Sequence, residues 1–148
     1  MGPTREKIII IDDDADFRTS LTEVLESEGY TVLGAASARE GLSKIVSDPP
    51  DLIILDIIME YDSAGYEVNQ AIKFRDEYLA ERNIPILMVS SIEIDPATLY
   101  SRATEVLAIT PDAYLTKPLN IPVFLDRVRD LLAARQRQVP AQGHLPAS

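Results

Sequence analysis

The stretch Pro50-Asp51-Leu52-Ile53-Ile54-Leu55-Asp56 is apolar without a break between its two aspartates. A run this short, with no polar alternation, is what a strand buried on both faces looks like, and such strands belong to parallel sheets covered by helices. Working outward, three further runs share its construction. Ile8 to Ile11 leads into Asp12 and Asp13, Ile86 to Val89 into Ser90, and Tyr114-Leu115 into Thr116 and Lys117. Each run closes, at a predicted strand terminus, on a residue suited to phosphate chemistry. In an open parallel α/β sheet, ligands bind outside the carboxyl ends of the strands, so residues distant in sequence converge on one pocket.

Between these runs the hydrophobic period changes to that of helices, which gives five βα units. Phe17, Leu21, Val24 and Leu25 fall on one helical face, and Gly29 supplies the stop. Thr31 to Ala35 reads as the second strand. Ser37, with Glu40 three residues on, forms a capping box that opens a helix burying Leu42, Ile45 and Val46. A third helix is predicted over roughly Tyr66 to Glu81. A fourth opens at Pro96, capped by Asp95, and the last starts near Ile121-Pro122 and turns Phe124, Leu125, Val128, Leu131 and Leu132 inward. One domain is expected over residues 5–137, with residues 138–148 a disordered tail or linker stub, because Pro, Gly and Ala replace the apolar stripe there.

Composition narrows the function. With 148 residues, 46% hydrophobic and 26% charged, the chain has the make-up of a soluble domain with its own core. No window approaches the ~20 apolar residues of a membrane span, and no secretory h-region opens the chain, so a cytoplasmic location and no membrane partner are expected. The absence of cysteine removes disulfides and zinc-thiolate sites, and the one histidine, His144, lies in the tail, which argues against histidine catalysis. A net charge of −10 argues against direct nucleic-acid binding, which needs Lys and Arg to neutralise phosphates.

The convergent set is acidic residues, one hydroxyl and one ammonium. Asp12, Asp13 and Asp56 brought together repel one another as like charges, and a divalent cation relieves that; hard oxygen ligands suit Mg2+. A carboxylate is also a nucleophile toward phosphorus where the phosphoryl charge is neutralised, a task for Lys117 with Ser90 donating to a phosphoryl oxygen. Each element alone has a plainer explanation. An Asp after a strand is commonly a helix cap, a lone Ser a turn residue, a Lys-Pro pair a loop, and Tyr114 a half-buried core aromatic. The order in which they occur, at the close of successive strands, favours the joint reading.

These residues resemble the receiver domains of two-component response regulators over about Lys7 to Arg135. Ile9 to Asp14 is similar to that family's opening strand and acidic pair, Pro50 to Asp56 to its phosphoacceptor strand, Pro85 to Ser90 to the strand ending in its Thr or Ser, and Tyr114 to Pro118 to its lysine segment. The resemblance implies a flavodoxin-like, doubly wound five-stranded parallel sheet in the order 2-1-3-4-5 with five helices. It implies Asp56 as phosphoacceptor, Asp12, Asp13, Asp56 and the Ile58 carbonyl as Mg2+ ligands, Ser90 and Tyr114 as switch residues, and a cis Lys117-Pro118 bond. The chain departs from the pattern at Glu60, where Pro is common, at Gly65 and Ser91, and at Thr110-Pro111, and Ile92 to Pro111 is several residues longer than usual.

The expected function is Mg2+-dependent transfer of a phosphoryl group from a histidine kinase or phosphotransfer protein to Asp56. That transfer switches a face built from the fourth helix, fifth strand and last helix for a downstream protein or output domain, with a phosphorylation-dependent homodimer as a further partner. The chain is then not an enzyme but a phosphoacceptor that catalyses its own phosphorylation and dephosphorylation. Two alternatives stand beside it. A non-phosphorylated receiver-like module is expected to lose an acidic or lysine position, and none is lost. A small Mg2+-dependent phosphohydrolase generally has a second acid close after its nucleophile, where this chain has Ile57 and Ile58.

Overall fold

Four isoleucines in a row, Ile8 to Ile11, have no water-facing side in this protein: all four are fully buried. The computed structural model describes residues 6–56, 64–90 and 112–144. Strand β1 (Lys7–Ile11) is followed by α1 (Ala15–Ser27), β2 (Thr31–Ala35), α2 (Ala38–Ser47), β3 (Leu52–Leu55) and α3 (Ala64–Phe74). A 3-10 helix (Asp76–Glu81), β4 (Ile86–Ser90), β5 (Ala113–Thr116) and the C-terminal helix (Ile121–His144) complete the described elements. The strands form one sheet in the order β2-β1-β3-β4-β5, all parallel. This is the doubly wound arrangement expected from the sequence. The fourth helix, with Asp95 and Pro96, lies outside the described residues.

Alternation along the strands divides the core in two. Ile9, Ile11, Ile53 and Leu55 pack with α2 and α3 on one face, while Ile8, Ile10, Leu52 and Ile54 pack with α1 and the C-terminal helix on the other. Each such side chain removed from water contributes about 1.5–3 kcal/mol, so β1 and β3 alone anchor the sheet. Register follows from this burial, because a slip of one residue would exchange the two cores.

The helix ends follow their local chemistry. The Asp14 side chain accepts from the Phe17 N–H at 3.1 Å and so caps α1, and Gly29 turns the chain out of it at φ 92°. Ser37 caps α2 by accepting from the Glu40 N–H at 3.1 Å, and Glu40 reaches back to the Ala36 N–H at 2.8 Å, one residue beyond the cap. Gly41 lets α2 lie against β1: a Cβ there would stand 2.4 Å from Ile11 Cδ1 and 2.9 Å from its Cγ1.

The third helix is shorter than its periodicity predicts. It stops at Phe74, Arg75 is extended at ψ 137°, and Asp76–Glu81 forms a separate 3-10 helix. The reason is visible in the stripe. After Val68 and Ile72, the next inward positions are Arg75 and Asp76, which have nothing apolar to bury, and Lys73 Nζ binds the Arg82 and Ile84 carbonyls at 3.2 and 3.0 Å to turn the chain toward β4. At the other end, the C-terminal helix continues through Gln138, where the apolar stripe has already ended, to His144.

Candidate functional site

The strand register builds the site. Ile11 is opposite Leu55, the Asp12 N–H donates to the Ala35 carbonyl at 3.0 Å, and the Asp56 N–H donates to the Ile11 carbonyl at 3.0 Å. Asp12 and Asp56 therefore leave neighbouring strands at the same height. Asp14 is consumed as the cap of α1, which leaves Asp12 and Asp13 clear of that duty. On the far side, Ser90 ends β4 opposite Thr116, and Lys117 is the next residue after β5.

One carboxylate oxygen each from Asp12, Asp13 and Asp56 lies within 4.8 Å of the others. Asp12 and Asp56 are 2% and 7% exposed, whereas Asp13 faces solvent. Lys117 Nζ donates to Asp12 Oδ2 at 2.9 Å and stands 3.8 Å from Asp56 Oδ2. The other Asp12 oxygen accepts from the Asp14 N–H at 2.9 Å, and the Arg18 guanidinium donates to the Asp12 backbone carbonyl. Both Asp12 oxygens are thus fixed by the protein, so the carboxylate is held in a single orientation.

Among the described residues, three carboxylates gather around the Lys117 ammonium, so negative charge is in excess within this cluster. That excess, on oxygen donors only, matches a hard divalent cation of the magnesium type. Of the predicted site residues, Asp12, Asp13, Asp56 and Lys117 are brought together. Ser90 closes the adjacent strand, and its side chain is outside the described set. Ile58, Glu60, Ser91 and Thr110-Pro111 lie outside the described residues. The Lys117-Pro118 bond is cis. Tyr114 sits half-buried on β5 against the α2 and α3 side of the core.

Sequence reasoning placed Phe17 only on the buried face of α1. Its ring lies under Lys117, with Nζ 3.9 Å from the ring centroid. A residue 100 positions away cannot be connected to the lysine by periodicity, and an aromatic on a core stripe carries no mark that sets it apart.

Comparison with known proteins agrees with this geometry. The pattern of the response regulator receiver domain matches residues 8–129. The chain belongs to the response regulator receiver family. The receiver is 32% identical over 137 residues to the response regulator MprA of Mycolicibacterium vanbaalenii, covering 93% of this chain and 53% of that protein. It is 31% identical over 144 residues to a probable transcriptional regulator, ycf27, of Porphyridium aerugineum, covering 97% and 55%. The receiver thus spans about half the length of these curated relatives. Among solved structures, a CheY-like receiver domain protein of Methanospirillum hungatei superposes with a TM-score of 0.74 at 30% identity, covering 91% of this chain and 99% of the other. A putative response regulator of Chloroflexus aurantiacus gives 0.73 at 27% identity, covering 88% and 99%.

Proposed function

We propose that this receiver takes a phosphoryl group onto Asp56 from a phosphohistidine on a kinase or phosphotransfer protein, and that this requires magnesium. The observation that carries the reading is the placement of a 7%-exposed carboxylate 3.8 Å from an ammonium and beside two further carboxylates, at the carboxyl ends of parallel strands. An Asp56 oxygen forms a bond to phosphorus as the donor's P–N bond breaks. The electron pair leaves on the imidazole nitrogen, which is protonated as it departs. Little covalent chemistry is asked of the protein, so positioning and charge do most of the work. Lys117 supplies one positive charge where the phosphoryl oxygens gather, and Ser90 donates its hydroxyl to one of them. Asp12 and Asp13, with Asp56 and the Ile58 carbonyl, would hold the magnesium ion, which when bound neutralises charge on the carboxylates and on the phosphoryl oxygens.

The chain is in this reading a self-catalysing phosphoacceptor rather than an enzyme with turnover of a small substrate. Phosphorylation draws Ser90 and Lys117 toward the new oxygens and Tyr114 inward. That biases the face of the fourth helix, β5 and the C-terminal helix toward a downstream protein or output region. Location in the cytoplasm, where kinases of this kind deliver phosphoryl groups, belongs to the same proposal. Among the described residues, no helix is long and apolar enough to cross a membrane.

The test is intact mass after incubation with acetyl phosphate, with and without magnesium, on the natural chain and Asp56→Asn. One base-labile phosphoryl adduct, dependent on magnesium and absent from Asp56→Asn, is expected. An unmodified natural chain under small-molecule donors and under a phosphorylated histidine phosphotransfer protein would overturn the proposal in favour of a non-phosphorylated interaction module.

A further inference from the structure

Among the described residues Lys117 is held on three sides, and two of them are carboxylates. The third is the face of Phe17, 3.9 Å from Nζ to the ring centroid, within the range where an ammonium is attracted to an aromatic quadrupole. Phe17 is fixed there from two directions. Its own N–H is bound by the Asp14 cap at 3.1 Å, and its ring packs against the α1 side of the core. The short segment from the end of β1 into the first turn of α1 therefore carries Asp12, Asp13 and, capped by Asp14, the platform under the lysine.

The neighbourhood gives that platform something to oppose. An apolar groove of about 470 Å³ lies beside it, lined by Phe17, Leu21, Pro118 and Ile121 among others, and opens onto Lys117. The Lys117 side chain is 18% exposed. An ammonium on a flexible stem has a competing position there, turned out and hydrated. Leucine at residue 17 would line the same groove but would offer the ammonium no attraction.

We propose that Phe17 is a positioning residue for phosphoryl transfer, its π face holding the Lys117 ammonium between Asp12 and Asp56 and away from the groove. The proposal rests on the phosphoacceptor reading of Asp56. With acetyl phosphate as donor, the Asp56 oxygen bonds to phosphorus as the P–O bond to acetate breaks. The electron pair leaves on acetate, and Phe17 acts only by keeping the cation where phosphoryl oxygens collect.

Two measurements separate this role from packing and from the reading beneath it. The first is the proton shift of the Lys117 ε-methylene in the full chain without donor. A ring face beneath it gives an upfield displacement that Phe17→Leu removes; no displacement in the natural chain overturns the contact. The second is the rate of adduct formation from acetyl phosphate with mono-, di- and trifluorophenylalanine placed at residue 17. Fluorine drains the quadrupole at nearly constant shape, so the rate falls stepwise, about three- to tenfold across the ladder, while Tm and magnesium affinity hold. Tyr or Trp at residue 17 keeps most of the rate. A flat ladder in a chain that does accept phosphoryl overturns the role of Phe17 alone. An equal fall from fluorination of the buried core ring Phe124 assigns the effect to packing and overturns it too. No adduct on the natural chain overturns the phosphoacceptor reading and this role with it, leaving the ε-methylene shift to report the contact.

Discussion

The two rims of the sheet are both lined with charge, and they are organised on opposite principles. At the amino ends of the strands the acids that bear on the sheet have partners. Asp51 accepts from the Lys7 N–H at 2.8 Å and from Arg135 Nη1 at 2.7 Å, Asp112 accepts from the Ile86 N–H at 2.8 Å and pairs with Lys73 at 3.2 Å, and Lys7 Nζ binds Asp48. At the carboxyl ends, Asp12, Asp13 and Asp56 crowd within 4.8 Å of one another beside the Lys117 ammonium. Paired charges hold elements together; crowded like charges hold an affinity in reserve for a cation or for the loss of a charge. The same strands thus carry a closed rim that fixes the fold and an open one where like charges are left crowded.

The contrast is most directly broken at the closed rim. Asp51→Ala removes the link between β3, the start of β1 and the C-terminal helix, and among the described residues leaves Arg135 with the Pro50 carbonyl at 3.3 Å alone. Because the Asp51 side chain is 41% exposed, solvent screening reduces the loss to about 1–2 kcal/mol. Urea denaturation should show that loss with the phosphorylation rate nearly unchanged. A loss of rate matching the loss of stability would mean that the rims are not independent.

At the open rim, removing a charge should do the reverse. Asp13→Asn relieves the crowding, so in metal-free buffer it stabilises by on the order of 0.5–1 kcal/mol. Magnesium, binding only the folded chain, then raises the Tm of the natural chain more than that of the variant. The two titration curves should cross. Parallel curves would show that Asp13 is a solvated surface acid and no part of a cation site.

Much of this division is legible in the amino-acid sequence. Ile8 to Ile11 and Leu52 to Leu55 admit no solvent face, so parallel strands covered on both sides follow from burial alone, and the acids that end them must share a rim. The strand order and the cis Lys117-Pro118 bond come from family resemblance, since neither is written in a local pattern. Two features escape a reading of the sequence. The break at Arg75 depends on what α3 has left to bury, which periodicity extended through charged positions misses. The Phe17 platform depends on a contact between residues 100 positions apart. Local propensity reports a residue's face, whereas function here depends on which two faces meet.

A carboxylate beside the open rim but outside the cluster tests whether position or crowding decides the behaviour. Glu40 stands on α2, which begins just beyond the carboxyl end of β2, and accepts from the Ala36 N–H at 2.8 Å and pairs with Lys44 at 3.1 Å. The backbone hydrogen bond from Ala36, helped by Lys44, lowers its pKa below the usual 4.5. A carboxylate whose folded pKa is depressed contributes stability above its unfolded pKa and loses it as pH falls through the folded value. Glu40→Gln should therefore be slightly less stable than the natural chain at neutral pH, by a few tenths of a kcal/mol for so exposed a group, and the difference should vanish as the pH drops below about 4.5. Magnesium should not alter it. If the difference instead grows in acid, or answers to magnesium, then Glu40 belongs with Asp12, Asp13 and Asp56, and the reserve of negative charge at that rim extends onto α2.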